Sequence, residues 1–217
     1  MRLLIIPMLI AALFPGAVSA APSKAVCVVC QVKEGAREEE AVKATRTHDG
    51  VEYYFCSEKC AKAFDADPVA YVPRDLPWPA PAIALVDLTG RKVTSDSLRG
   101  RVTLIDFWAT WCAPCVKTMP ELQALHTQYA SRGFGVLGVS IDEGGPSKVK
   151  KFVGSKKITY PIAIDDGPKP AWEAYHVKAV PAAFLVDREG RVVAQWTGAS
   201  QGRAELEKMI EELLRAD

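Results

Sequence analysis

Two cysteines, Cys112 and Cys115, sit where a strand gives way to a helix, and this constrains the chain more than any other feature. Val102-Thr103-Leu104-Ile105 upstream is a short apolar, β-branched run that predicts a buried strand. Downstream, Val116, Met119, Leu122, Leu125 and Tyr129 recur at helical spacing and describe one apolar face. A helix N-terminus offers unpaired N–H groups and the positive end of the macrodipole, so it stabilises an anion. A thiolate at such a position can have its pKa lowered from about 8.5 to roughly 3.5–7.5. Cys115, one turn further in, is placed to attack a mixed disulfide on Cys112 and release the partner. Pro114 costs the first turn little, because its missing N–H would have been unpaired there.

A Cys-x-x-Cys pair can also be half of a zinc site or a structural disulfide. The strand before, the helix after, Trp108, Trp111 and the inner proline favour a reversible dithiol/disulfide switch. Asp106 falls on the buried strand; a buried carboxyl has a raised pKa and can exchange a proton with Cys115.

The segment Asp106-Phe107-Trp108-Ala109-Thr110-Trp111-Cys112-Ala113-Pro114-Cys115 resembles the active-site segment of thioredoxin-like proteins, specifically the TlpA/ResA-type exported thiol-disulfide oxidoreductases. The resemblance implies that Val180-Pro181 is the pair that carries a cis bond beside the reactive sulfurs in the thioredoxin fold. There the backbone of Val180 would pair with a bound substrate strand, and Trp111 would form part of the docking surface. TlpA-type proteins often place a glutamate three residues after the second cysteine; here that position is Thr118, which leaves Asp106 as the expected proton carrier. The resemblance further implies protein disulfide clients, of the kind met in cytochrome c maturation or copper-centre assembly. The chain has no P-loop pattern; no cofactor is expected for the redox chemistry and electrons are expected from a membrane donor. Trp108 is expected in the core, and His126 and His176 are expected on helix faces or the surface without chemistry.

Residues 1–20 differ in character from the rest. Arg2 is the only charge, the run from Leu3 to Phe14 is apolar apart from Pro7, and Ala17-Val18-Ser19-Ala20 ends in small residues. This predicts a secretory signal peptide, an exported or periplasmic address and no membrane span after cleavage; an uncleaved anchor is the rival, but the run is short for a bilayer. Without Arg2 the 27 basic residues fall level with the 26 acidic ones, which leaves no nucleic-acid footprint or polybasic membrane patch.

Six cysteines in an exported chain usually suggest structural disulfides. Here they fall in three close pairs, and Cys27/Cys30 and Cys56/Cys60 belong to a separate region, residues 22–71. So small a unit needs a metal or disulfides to hold it. The Cys-x-x-Cys and Cys-x-x-x-Cys spacings suit a tetrahedral four-thiolate site for zinc or copper(I), and two disulfides are the alternative. The run from His48 through Tyr71, with Phe55-Cys56-Ser57-Glu58-Lys59-Cys60 at its centre, resembles YHS/TRASH-type metal-binding modules. That implies a possible second role, a heavy-metal carrier or sensor with an accessory redox domain. Val51 to Phe55 predicts a strand, Cys56 to Phe64 a helix, and Lys33 to Lys43 a solvated charged stretch.

Residues 72–81 hold four prolines and predict a stiff, extended linker. From residue 82 to 217 the pattern is a hairpin, then alternating strands and helices, then a second hairpin and a final helix bearing Leu206, Met209, Ile210, Leu213 and Leu214 on one face. The expected fold class is α/β: a thioredoxin-like mixed sheet with flanking helices, plus a small N-terminal cysteine-rich α+β module.

Overall fold

The computed structural model describes residues 21–34, 38–72, 74–198 and 203–216. The expected signal peptide lies outside them.

The N-terminal module is built from β1 (Lys24–Ala25), α1 (Val28–Glu34), β2 (Glu40–Ala41), β3 (Ala44–His48), β4 (Val51–Phe55) and α2 (Glu58–Ala66). β3 and β4 form a hairpin around Asp49-Gly50, both with positive φ, as a tight turn requires. Ser57 caps α2, its hydroxyl accepting the N–H of Cys60 at 3.2 Å. The module's core is small: Cys27, Val29, Phe55, Ala61, Phe64 and Tyr71. Two elements carried no expectation of regular structure. Val28–Glu34 is helical, and part of the charged stretch pairs as a strand, Glu40–Ala41 against Lys24–Ala25.

The second body contains β5 (Trp78–Pro79), β6 (Ala84–Asp87), β7 (Lys92–Thr94), α3 (Ser95–Leu98), β8 (Val102–Trp108), α4 (Ala113–Tyr129), β9 (Phe134–Ser140), α5 (Pro146–Ser155), β10 (Ile162–Ile164), α6 (Ala171–Ala174), β11 (Ala182–Val186), β12 (Arg191–Thr197) and α7 (Arg203–Arg215). Its eight strands lie in the order β5-β12-β11-β8-β9-β10-β6-β7. β8, β9 and β10 run parallel, and the outer strands pair antiparallel. The fold is the expected thioredoxin-like mixed sheet with flanking helices.

Every residue of β8 and β9 is buried, because helices cover both faces of the sheet. Side-chain alternation along β8 sends Leu104 and Trp108 to the face packed by α4, α5 and α7, and Ile105 and Phe107 to the face packed by α6 and Trp78. The proline-rich stretch is not a free linker throughout. Trp78–Pro79 pairs with Arg191 and Val192 as an edge strand, and the buried Trp78 indole stacks near Tyr175 and Phe184. The apolar area of Trp78 anchors what composition alone reads as linker.

Candidate redox and metal sites

β8 delivers the chain to the first site at its C-terminal end. Cys112 is the N-cap of α4, its Sγ accepting the N–H of Cys115 at 3.2 Å, with Pro114 in the first turn. Cys112 and Cys115 are joined in a disulfide. Cys115 is fully buried and Cys112 nearly so, whereas Trp111 beside them is 65% exposed.

β11 brings Val180 and Pro181 to the same end. Ala182 pairs with Phe107, so the two residues before it fall level with the strand end that leads into Trp111 and Cys112. The Val180–Pro181 peptide bond is cis. The Pro181 carbonyl accepts the N–H of Gly198, while the main chain of Val180 makes no hydrogen bond among the described residues. Trp111 and Val180 line a groove of about 520 Å³ whose rim carries the exposed carboxylates Glu143 and Asp166.

Asp106 lies on the cysteine-bearing face of β8, paired with Ala183 and Gly138 on its two neighbours. With Thr118 and Pro181 it lines a small, mainly apolar cavity of about 30 Å³. The residue is 3% exposed, its Oδ2 is buried with no hydrogen-bond partner among the described residues, and burial pushes its pKa up to about 7. Thr118 turns its hydroxyl back onto the Cys115 carbonyl at 2.9 Å and offers no acid. Two more unpartnered polar atoms, Trp108 Nε1 and Tyr160 OH, are buried nearby, and the Asp106 charge adds to burial in raising the Tyr160 pKa.

Three residues acquire structural work that sequence reading missed. The fully buried Asp142 carboxylate accepts both the N–H and the hydroxyl of Thr110 and pairs with Lys148, which pins the loop before Trp111. His126, expected to be a bystander, accepts the Val136 N–H through Nδ1. His176 is not on a helix face: it has a left-handed backbone, φ 52°, and contacts Asp67. Their partners lie 10 to 109 residues away in sequence, so no local pattern marks them.

The second site gathers the remaining cysteines. The Sγ atoms of Cys27, Cys30, Cys56 and Cys60 all lie within 4.8 Å of one another, and the four are free thiols. Cys30–Cys56, Cys56–Cys60 and Cys30–Cys60 are 3.5, 3.7 and 3.8 Å apart. A tetrahedron of sulfurs about 2.3 Å from a central ion has edges of about 3.8 Å, so the donor set fits a soft metal. Burial raises the Cys27 thiol but is outweighed by backbone N–H groups of Cys56 and Cys30, which hold it below its ordinary value. Burial, with its thiol neighbours, pushes Cys30 up, and Cys56 reaches about 11. A crowded set of thiols resists multiple ionisation until a cation compensates the charge.

Residues 78–210 match the family model described as Redoxin. The chain belongs to the redoxin family. Within that family it is 35% identical over 134 residues to the thiol-disulfide oxidoreductase ResA of Bacillus thuringiensis, covering 62% of this chain and 76% of the relative. ResA of Geobacillus kaustophilus is 34% identical over the same length. A solved structure described as a putative thiol:disulfide interchange protein DsbE from Chlorobium tepidum superposes with TM-score 0.60 at 31% identity, over 65% of this chain and 99% of that one. This redoxin is a thiol-disulfide oxidoreductase of the thioredoxin superfamily. Residues 40–75 match the YHS domain model. Cys27 and Cys30 lie outside that match, yet the fold sets them against Cys56 and Cys60, in a cluster that could bind metal.

Proposed function

We propose that this chain is an exported reductase of specific protein disulfides, of the kind used in cytochrome c maturation or copper-centre assembly, coupled to a zinc- or copper(I)-binding module. The observation that carries the reading is Cys112 at the cap of α4, next to Trp111, which lines a groove together with Val180, whose main chain makes no hydrogen bond among the described residues. Leader-like residues 1–20 support export, and the lack of a P-loop nucleotide motif supports a membrane dithiol as electron donor. We assign residues 22–71 to the metal module, 72–81 to the connection and 82–217 to the redox domain.

In the reduced chain the Cys112 thiolate attacks one sulfur of the client disulfide. A Cys112–client mixed disulfide forms and the client's other sulfur leaves as a thiolate. Asp106 takes the proton of Cys115, and the Cys115 sulfur then attacks Cys112 Sγ. The intramolecular disulfide forms and the client's second thiolate departs, so two electrons have passed to the client. The donor dithiol reverses these steps to restore Cys112 and Cys115. Trp111 and Val180 hold the client segment during exchange, with Pro181 contributing no N–H to compete for it.

The test is trapping. Cys115→Ser should accumulate a mixed disulfide with a model client such as insulin, and Cys112→Ser should accumulate none and lose activity; an active Cys112→Ser chain would overturn the assignment.

The near-tetrahedral thiol cluster supports a second reading, a metal carrier or sensor in which the redox domain keeps thiols reduced. Under that reading a full-length chain with Cys27, Cys30, Cys56 and Cys60 all changed to Ser loses metal but keeps insulin reduction. Loss of both would tie the two sites into one function.

A further inference from the structure

Helix α2 joins the two sites. Its first turn carries Cys60, one of the four clustered thiols, and Asp67 closes its other end with a backbone N–H to Phe64 O at 3.1 Å. The Asp67 carboxylate leaves the module altogether. It meets Lys178 Nζ at 2.9 Å and His176 Nδ1 at 3.1 Å, both on the segment that runs into Val180 and Pro181. These groups are shielded: the side chains of Asp67, Lys178 and His176 are 22%, 29% and 32% exposed. Burial raises the Asp67 carboxyl, but Lys178 and His176 outweigh it and keep the group ionised well into acid.

The same segment is tied from the other side by α6. His176 N–H reaches Glu173 O at 2.9 Å and Val177 N–H reaches Trp172 O at 2.8 Å. From Ala179 to Val180 the main chain then makes no hydrogen bond among the described residues until the Pro181 carbonyl meets Gly198. Asp67 is therefore the last fixed point before the stretch of backbone that a client would pair with. Its own anchorage depends on a module with a very small core, whose order a cross-linking ion would strengthen.

We propose that Asp67 is a positioning residue for disulfide exchange: through it the cysteine module clamps the Val180–Pro181 loop, so that filling the thiol cluster tightens client binding at the redox site. The proposal rests on the metal reading above for its second half only; the clamp itself stands on the Asp67 contacts. A bound ion fixes Cys60 to Cys27, Cys30 and Cys56, which fixes the start of α2; the helix carries that constraint to Asp67, and Asp67 carries it to the loop. The ion takes no part in the exchange chemistry.

The experiment uses the full chain, zinc as the probe ion and a fluorescent peptide disulfide as the probe client, with KM and kcat measured separately. Asp67→Ala should raise KM by about fivefold or more, a coupling of ordinary size, while kcat moves far less and zinc affinity, read by chelator competition, stays within about twofold. Asp67→Glu should recover part of the loss. Stripping zinc from the parent chain should raise KM by a similar factor, and stripping it from the Asp67→Ala chain should add little. Lys178→Met, which removes the partner rather than the carboxylate, should repeat the KM effect if Asp67→Ala proves poorly folded. An unchanged KM in both Asp67→Ala and Lys178→Met would overturn the clamp. A full zinc effect persisting in Asp67→Ala would overturn the route through Asp67. Should the parent bind no zinc, the metal reading and the coupling both fall, and the Asp67→Ala KM alone then decides the clamp.

Discussion

Asp142 accepts the Thr110 N–H at 2.7 Å and the Thr110 hydroxyl at 2.5 Å through its two carboxylate oxygens, thirty-two residues away along the chain. The pair ties the end of β9 to the loop that presents Trp111 and Cys112. Ser140 donates to the same carboxylate, and Lys148 balances its charge at 2.9 Å. Asp142→Ala leaves the Thr110 N–H without its acceptor and frees the loop. Such a loss of a buried, charge-assisted set costs about 2–4 kcal/mol. Urea titration should show the shift in midpoint, and insulin reduction should fall several-fold because Cys112 is no longer held in place.

Asp106 makes stability depend on pH with a definite sign. Its carboxyl titrates near 7 when folded, against an ordinary 3.8, because burial disfavours the charge. Between those values the folded chain keeps a proton that the unfolded chain has released, so stability falls as pH rises through that window and levels off above it. A displacement of this size corresponds to an effect on the order of 4 kcal/mol. Asp106→Asn removes the titration. Its melting temperature relative to the parent should be higher at pH 8 than at pH 5, and its exchange rate near neutral pH should drop. A parallel pair of melting curves, or an unchanged pH–rate profile, would contradict both assignments.

Gly138 is the place where the sheet core has no room to spare. A Cβ there would lie 2.5 Å from Ile162 Cδ1, 3.0 Å from Trp108 Nε1 and 3.2 Å from Tyr160 Cε2. Trp108 is fully buried and packs near Phe152, so it cannot retreat freely. Gly138→Ala should destabilise the chain by about 1–3 kcal/mol by overpacking. Adding Ile162→Val, which deletes the nearest atom, should return part of that loss in a double-mutant cycle.

What the residues announced in advance follows their periodicity. β8 and the apolar face of α4 were legible because buried runs and 3.6-residue spacing are local signals, and the Cys112/Cys115 placement followed from the junction between them. Residues 28–34 gave no comparable signal: a seven-residue helix that follows Cys27 and contains Cys30 has no room for an amphipathic repeat, and its one buried residue, Val29, packs only once β4 and α2 have formed. Ala44–His48 is mostly polar and becomes a strand through pairing with Val51–Phe55. Asp67, Asp142 and His126 owe their positions to partners distant in sequence, and Trp78 to an edge that exists only after the sheet is assembled.

The cysteine cluster makes a stoichiometric prediction. The purified full-length chain should bind one equivalent of zinc or copper(I), with affinity falling as pH drops because protons compete for the thiolates. Cys60→Ser should weaken binding at least tenfold in a chelator competition and lower the temperature of the first thermal transition. Retention of one tightly held ion in the chain lacking all four thiols would place the site elsewhere.

The ionisation of Cys112 is the most direct test of the redox centre. In the Cys115→Ala chain, the rate of iodoacetamide alkylation at Cys112, followed by mass spectrometry of the peptide that carries it, reports the thiolate fraction against pH. A helix-cap thiolate should give a midpoint at or below about 7.5. A midpoint near 8.5, the value of an unperturbed cysteine, would contradict the role assigned to the cap of α4.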